Sequence, residues 1–92
     1  MTLTTDQKKQ LKTRAHTLKP VVSTGQSGLT DAVLAEIELA LDHHELIKVK
    51  VRVGDREVRK QIMQDIQTTT RSEQILSIGQ VVVLYRENPD KK

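Results

Sequence analysis

The chain has 92 residues, 36% of them hydrophobic and 29% charged, which suits one small core and leaves no room for a second domain. It contains no cysteine, which excludes disulfides, thiolate catalysis and cysteine-held zinc and fits a reducing cytoplasm, while a net charge of +3 is too mild to name a nucleic-acid partner unaided. The opening MTLTTDQKK has no apolar segment behind a basic start, and no apolar run approaches the roughly 18 residues that cross a bilayer, so neither a secretory leader nor a membrane span is expected.

Thr4 and Gln7 have the spacing of a capping box, so a helix is predicted to begin there. Leu11, Ala15 and Leu18 give it a narrow apolar stripe, and Lys8, Lys9, Lys12 and Arg14 make the rest of its circumference basic. Pro20 is expected to stop it, since proline disfavours helical geometry in the residue before it. Val21 and Val22 read as a short strand that runs into Gly25-Gln26-Ser27-Gly28. Leu29, Val33, Ile37 and Leu41 then recur every four residues and predict a long second helix ending near His44.

From Leu46 the period changes to two. Ile47, Val49, Val51 and Val53 alternate with Lys48, Lys50 and Arg52, the pattern of a strand with one apolar and one basic face. Gly54-Asp55 supplies a turn and a helix cap, and Val58, Ile62 and Ile66 form an apolar stripe opposite Arg56, Arg59 and Lys60 in a third helix that fades through Thr68, Thr69 and Thr70. Two strands follow, Ile75 to Ile78 and Val81 to Tyr85, joined by Gly79-Gln80 in a type II′ hairpin turn. The unbroken apolar run Val81, Val82, Val83, Leu84 is that of a strand covered on both faces, hence central in its sheet. The predicted fold is α/β in the order α-β-α-β-α-β-β with a mixed four-stranded sheet; the domain spans 1–88 and 89–92 form a flexible tail.

Glycines flanking two polar residues let backbone amides approach a phosphate, and a following helix aims its positive end at the same place. The same two glycines also serve a plain tight turn with positive φ. The loop is no nucleotide fingerprint: GxGxxG is absent, and a Walker loop needs Lys-Ser or Lys-Thr after its second glycine. Lys48, Lys50 and Arg52 stand about 6 to 7 Å apart along one strand face, close to the reach between successive phosphates, although a solvated strand face has the same composition. Placement decides between these readings. No Lys or Arg occurs between Lys19 and Lys48, while Asp31, Glu36, Glu38 and Asp42 make the second helix acidic, so positive charge gathers in the first helix, the second strand and the start of the third helix.

Tyr85 is the one aromatic residue, too few for a base-stacking platform. His43 and His44 diverge around their helix with no second ligand at metal spacing, and His16 has no carboxylate nearby in sequence to orient it. No metal, no cofactor and no catalysis are expected.

The segments KPVVSTGQSGLTDAVLAEIELALDHHELIKVKV and IGQVVVLYR together resemble the CRM domain, named for chloroplast RNA splicing and ribosome maturation. The resemblance runs from Leu3 to Arg86 and is strongest to bacterial single-domain members of YhbY type. It implies a fold similar to the C-terminal domain of the third bacterial translation initiation factor, with Gly25, Gln26, Ser27 and Gly28 as an RNA-backbone loop comparable to that of KH domains. It also implies an association with precursors of the large ribosomal subunit; plant relatives carry the domain in intron-splicing factors. Three departures stand out: Gln26 and Ser27 where many members carry a Lys, Thr24 where many carry an Ile, and Thr70-Arg71-Ser72 in place of a Thr-Gly pair.

The expectation is therefore an RNA-binding module, monomeric and cytoplasmic, that docks structured ribosomal RNA through Gly25 to Gly28 with Lys8, Lys12, Lys19, Lys48, Lys50 and Arg52 on nearby phosphates. It would assist large-subunit assembly and need no membrane. The alternative is an adaptor that meets a ribosomal protein or a GTPase through the acidic second helix or the third helix, without touching RNA.

Overall fold

A computed structural model describes residues 3–25 and 28–87. Helix α1 (Thr5–Ala15) starts on the reciprocal bonds its sequence predicts: the Gln7 amide donates to Thr4 Oγ1 at 3.1 Å and the Thr4 amide to Gln7 Oε1 at 2.9 Å. It ends well before Pro20. The amides of Thr17 and Leu18 donate three residues back, to Arg14 and Ala15, and the Thr17 hydroxyl donates to the same Arg14 carbonyl, which satisfies the helix end and turns Leu18 onto the cluster holding Leu11 and Ala15. Pro20 instead opens β1 (Pro20–Thr24), an edge strand, and at the first residue of such a strand a missing N–H is tolerated.

β1 pairs parallel with β2 (Leu46–Val51), and β2 pairs antiparallel with β4 (Val81–Tyr85), which pairs antiparallel with β3 (Glu73–Ile78). The order is β1-β2-β4-β3, a mixed sheet with β4 inside it as its unalternating apolar run predicts. Ile78 faces Val81 across the hairpin, and Gly79 takes a positive φ of 56°, the requirement of the first central position of a type II′ turn.

One face of the sheet packs against α2 (Asp31–His44) and α3 (Arg56–Thr70). Val22, Ile47, Val49, Val51, Val82 and Leu84 from the strands meet Ile37, Leu41, Ile62, Met63 and Ile66 from the helices. Full burial of such side chains stabilises by about 1.5–3 kcal/mol each, so this layer is the main source of stability. The other face receives α1 alone, in a smaller cluster of Leu11, Ala15, Leu46, Ile75 and Val83.

Two details of α3 differ from expectation. Val58 is 48% exposed rather than part of the stripe, which begins a turn later at Ile62 and Met63. The helix also does not fade: Thr70 is buried, its hydroxyl donates to the Ile66 carbonyl at 2.7 Å and pairs with Ser72 at 2.8 Å, and Arg71 closes the helix in the left-handed region with φ 56°. A glycine holds that conformation without penalty, so the Arg71 of this chain occupies a glycine-type position.

Arg86 clamps the far end of the covered layer. Its Nη1 donates to both Glu38 carboxylate oxygens at 3.0 Å and to the Thr70 carbonyl at 2.8 Å, and its Nη2 donates to Asp42 Oδ1 at 2.8 Å. One guanidinium thus ties α2, the end of α3 and the exit of β4 together. Among the described residues no helix is long and apolar enough to cross a membrane, and the tail expected at 89–92 lies outside them.

Candidate functional site

The parallel strands β1 and β2 end side by side, which sets the Gly25 to Gly28 loop next to Arg52. The Arg52 amide donates to the Thr24 carbonyl at 2.8 Å, and the Gly28 amide donates to the Gly25 carbonyl at 3.0 Å, closing the loop as a four-residue turn. Thr24, only 1% exposed, braces it from below by donating its hydroxyl to the Gly28 carbonyl at 2.6 Å. Thr24, one of the departures noted above, therefore makes a bond that Ile could not. Gly28 has φ 79°, whereas Gly25 is absent from the positive-φ residues, and a Cβ added to either would meet nothing within 4 Å. The backbone on both flanks is open to approach. Gln26 and Ser27, named as site residues from sequence, lie outside the described residues.

The helix end contributes less than its position in sequence suggests. Thr30, two residues past Gly28, is the N-cap of α2 and accepts from the Val33 amide at 3.2 Å, and Asp31 stands in the first turn. A hydroxyl and a carboxylate already answer the positive end of α2, so an anion beside the loop would rely on Arg52 rather than on the helix dipole. Ser23, Thr24, Gly25 and Arg52 line a shallow hollow of about 380 Å³ there.

Below Arg52 the cations continue along β2. Lys50 stands opposite Val81, itself opposite Ile78, and Lys48 stands opposite Val83, itself opposite Leu76. Each rung of this face therefore reads cation, valine, aliphatic. Helix α1 lies across the lower part of it, and Lys48 borders hollows on both flanks of that helix. On one side Lys48 joins Lys12 and His16 over Ala15, Leu76, Ile78, Val81 and Val83, in a groove of about 240 Å³. On the other it joins Arg14 and Lys19 beside Leu18, Val21 and His44, in a hollow of about 520 Å³.

Of the cations selected from sequence, Lys12, Lys19, Lys48, Lys50 and Arg52 thus share one open face and its upper rim. Lys8 stands apart, with its ammonium 3.7 Å from Glu73 Oε1 at the edge strand. Arg14 on α1 joins the group, beside Lys19 and Lys48. Arg56, Arg59 and Lys60 line a separate polar hollow with Gln64, Gln67, Gln74 and Ser77 on the opposite side of the sheet, about 620 Å³ in volume. Their spacing along α3 is visible in sequence; the groove they flank is not, because β3 supplies its other wall. Arg59 is partly committed, donating to the Val53 carbonyl at 3.0 Å.

The acidic surface of α2 is partly neutralised, since Glu38 and Asp42 both pair with Arg86. The Tyr85 phenol is pushed above its ordinary pKa, first by desolvation and then by Glu45 and Glu87, against a smaller opposing pull from Arg14, so it stays neutral at physiological pH. Among the described residues no three His, Cys, Asp or Glu side chains gather to hold a metal.

The sequence pattern of the CRS1/YhbY (CRM) domain matches residues 3–86. A Haemophilus influenzae protein named RNA-binding protein is 53% identical over 91 residues, which cover 99% of this chain and 92% of that one. A probable RNA-binding protein of Pseudomonas aeruginosa is 46% identical over 89 residues, covering 97% and 86%. The solution structure of a Staphylococcus aureus protein, described as a candidate RNA-binding protein, superposes with a TM-score of 0.84 at 33% identity, covering 99% of this chain and 95% of that one.

Proposed function

The chain belongs to the CRS1/YhbY (CRM) domain family, and from that premise we propose that it binds structured RNA by its backbone, with ribosomal RNA of large-subunit precursors as the target. One observation carries the reading: Lys48 and Lys50 stand on the half-open sheet face along β2, and Arg52, just past the end of that strand, borders the flank of the Gly25 to Gly28 loop that Thr24 braces. Lys12 and Lys19 flank Lys48 from α1 and from the segment after it. Point charges at strand spacing engage successive phosphates, and Arg52 meets a further one beside the loop.

Relatives named as RNA-binding over nearly their whole length support the partner. The resemblance to bacterial members associated with large-subunit precursors supports ribosomal RNA as its class. On this reading the protein acts in the cytoplasm, as a monomer and without catalysis, by holding RNA segments during subunit assembly.

The grip is electrostatic, so it can be titrated with salt. If Lys12, Lys19, Lys48, Lys50 and Arg52 each engage a phosphate, log affinity falls with log salt at a slope of about −3 to −4, taking roughly 0.7 per phosphate on single-stranded RNA. A mobility-shift or filter-binding series across salt concentrations measures it. Affinity indifferent to salt overturns the reading.

A further inference from the structure

We propose that the groove between α1 and the β3–β4 hairpin receives one unstacked nucleobase of the bound RNA, with the adjoining phosphates on Lys48 and Lys12. This rests on the RNA-binding reading above and adds a site for the base to one for the backbone.

The floor of the groove is aliphatic throughout: Ala15 from α1, Leu76 and Ile78 from β3, Val81 and Val83 from β4. Its polar rim consists of Lys12, His16 and Lys48, with no carboxylate among the lining residues. The matching occupant has an apolar body joined to negative charge a short distance away. A nucleotide has this form, and the sheet register supplies the offset, because Lys48 and Lys50 stand one strand away from Val83 and Val81, about 4.8 Å in the hydrogen-bonding direction.

Size and exposure point the same way. A volume of about 240 Å³ falls below the roughly 300 Å³ at which pockets for drug-sized ligands begin, so the groove fits one ring system rather than an anchored peptide segment. Ile78 at the lip is 66% exposed, one of the few large apolar side chains left in water, and a base lying over it removes that surface from solvent. Aliphatic walls carry no donor or acceptor code, so the site strengthens binding without choosing among bases. Scarcity of aromatic residues argued against base contact at the level of sequence; an aliphatic floor assembled from three elements gives no such signal.

The test compares a short uridine oligoribonucleotide with an abasic strand of the same backbone length, each titrated against wild type and Ile78→Asn. Wild type should prefer the intact strand by about fivefold or more, the gain expected from removing roughly 40 Å² of apolar surface from water at about 25 cal/mol per Å². Ile78→Asn, at an exposed position, should fold normally and lose most of that preference while keeping its affinity for the abasic strand and its salt slope. Equal wild-type affinity for the two strands, or an unchanged preference in Ile78→Asn, overturns the base site and leaves the backbone reading intact. Failure of both strands to bind overturns the backbone reading itself, and the base site with it.

Discussion

The two faces of the sheet are built from the same strands and serve different ends. On the face toward α2 and α3, two helices cover the strands and the side chains are almost all apolar and buried. On the face toward α1, a single short helix covers only the end formed by Leu46, Val83 and Ile75, and the rest of β2 presents lysines. The alternation in β2 joins the two: Ile47, Val49 and Val51 reach into the covered core, while Lys48 and Lys50 reach out between them. A strand of period two can hold a fold together with one face and leave the other for a ligand, with neither requirement constraining the other's residues.

The largest expected break in this comparison comes from the covered face. Leu84→Ala, at a side chain with no solvent exposure, should cost about 2–5 kcal/mol in chemical denaturation, through lost burial and the cavity left behind. Val81→Ala, on the same strand and partly exposed on the open face, should cost about 1 kcal/mol or less. Similar losses at the two positions would mean that the open face is as much a part of the core as the covered one.

The converse change sharpens the contrast. Lys48→Ala with Lys50→Ala should leave stability within about 0.5 kcal/mol, because neither ammonium closes a buried network. The same double variant should weaken RNA binding and reduce the steepness of the salt slope by about 1.4, two phosphate contacts at roughly 0.7 each. An unchanged slope would remove these lysines from the interface.

What the sequence made legible was local. The Thr4–Gln7 box, the Asp55 cap, the alternation of β2, the buried run of β4 and the Gly79 turn each depend on residues within a few positions of one another, and each formed as expected except that β2 stops at Val51, short of Arg52 and Val53. Contiguous motifs likewise made the family recognisable. The clamp at Arg86 could not be read, because its acceptors lie 16 to 48 residues away on α2 and at the end of α3. The early end of α1 was hidden by Pro20, a plain stop signal that masked quieter three-residue bonds at Arg14 and Ala15. The loop site is legible only at its flanks: Gly25 and Gly28 are read from the motif, whereas their approach to Thr24 and Arg52 comes from the pairing of β1 with β2, and the N-terminus of α2 is already engaged by Thr30 and Asp31.

The smallest effect concerns Arg71, which caps α3 on the covered side with φ 56°. A side chain held in the left-handed region costs about 1–2 kcal/mol, tolerated here because Thr70, Ser72 and the surrounding core fix the turn. Arg71→Gly removes that strain but adds backbone freedom to the unfolded chain, so the net gain should be about 0.5–1 kcal/mol, a rise in Tm of roughly 2–8 °C for a domain of this size. The substitution also deletes one positive charge. Since Arg71 sits where α3 ends and β3 begins, at the opposite end of the strands from the Gly25 to Gly28 loop, the salt slope of RNA binding should not move. A rise in Tm with a constant slope would separate backbone strain on the covered side from phosphate contact on the open one. A slope reduced by about 0.7 would instead extend the RNA path around the edge strand to the end of α3.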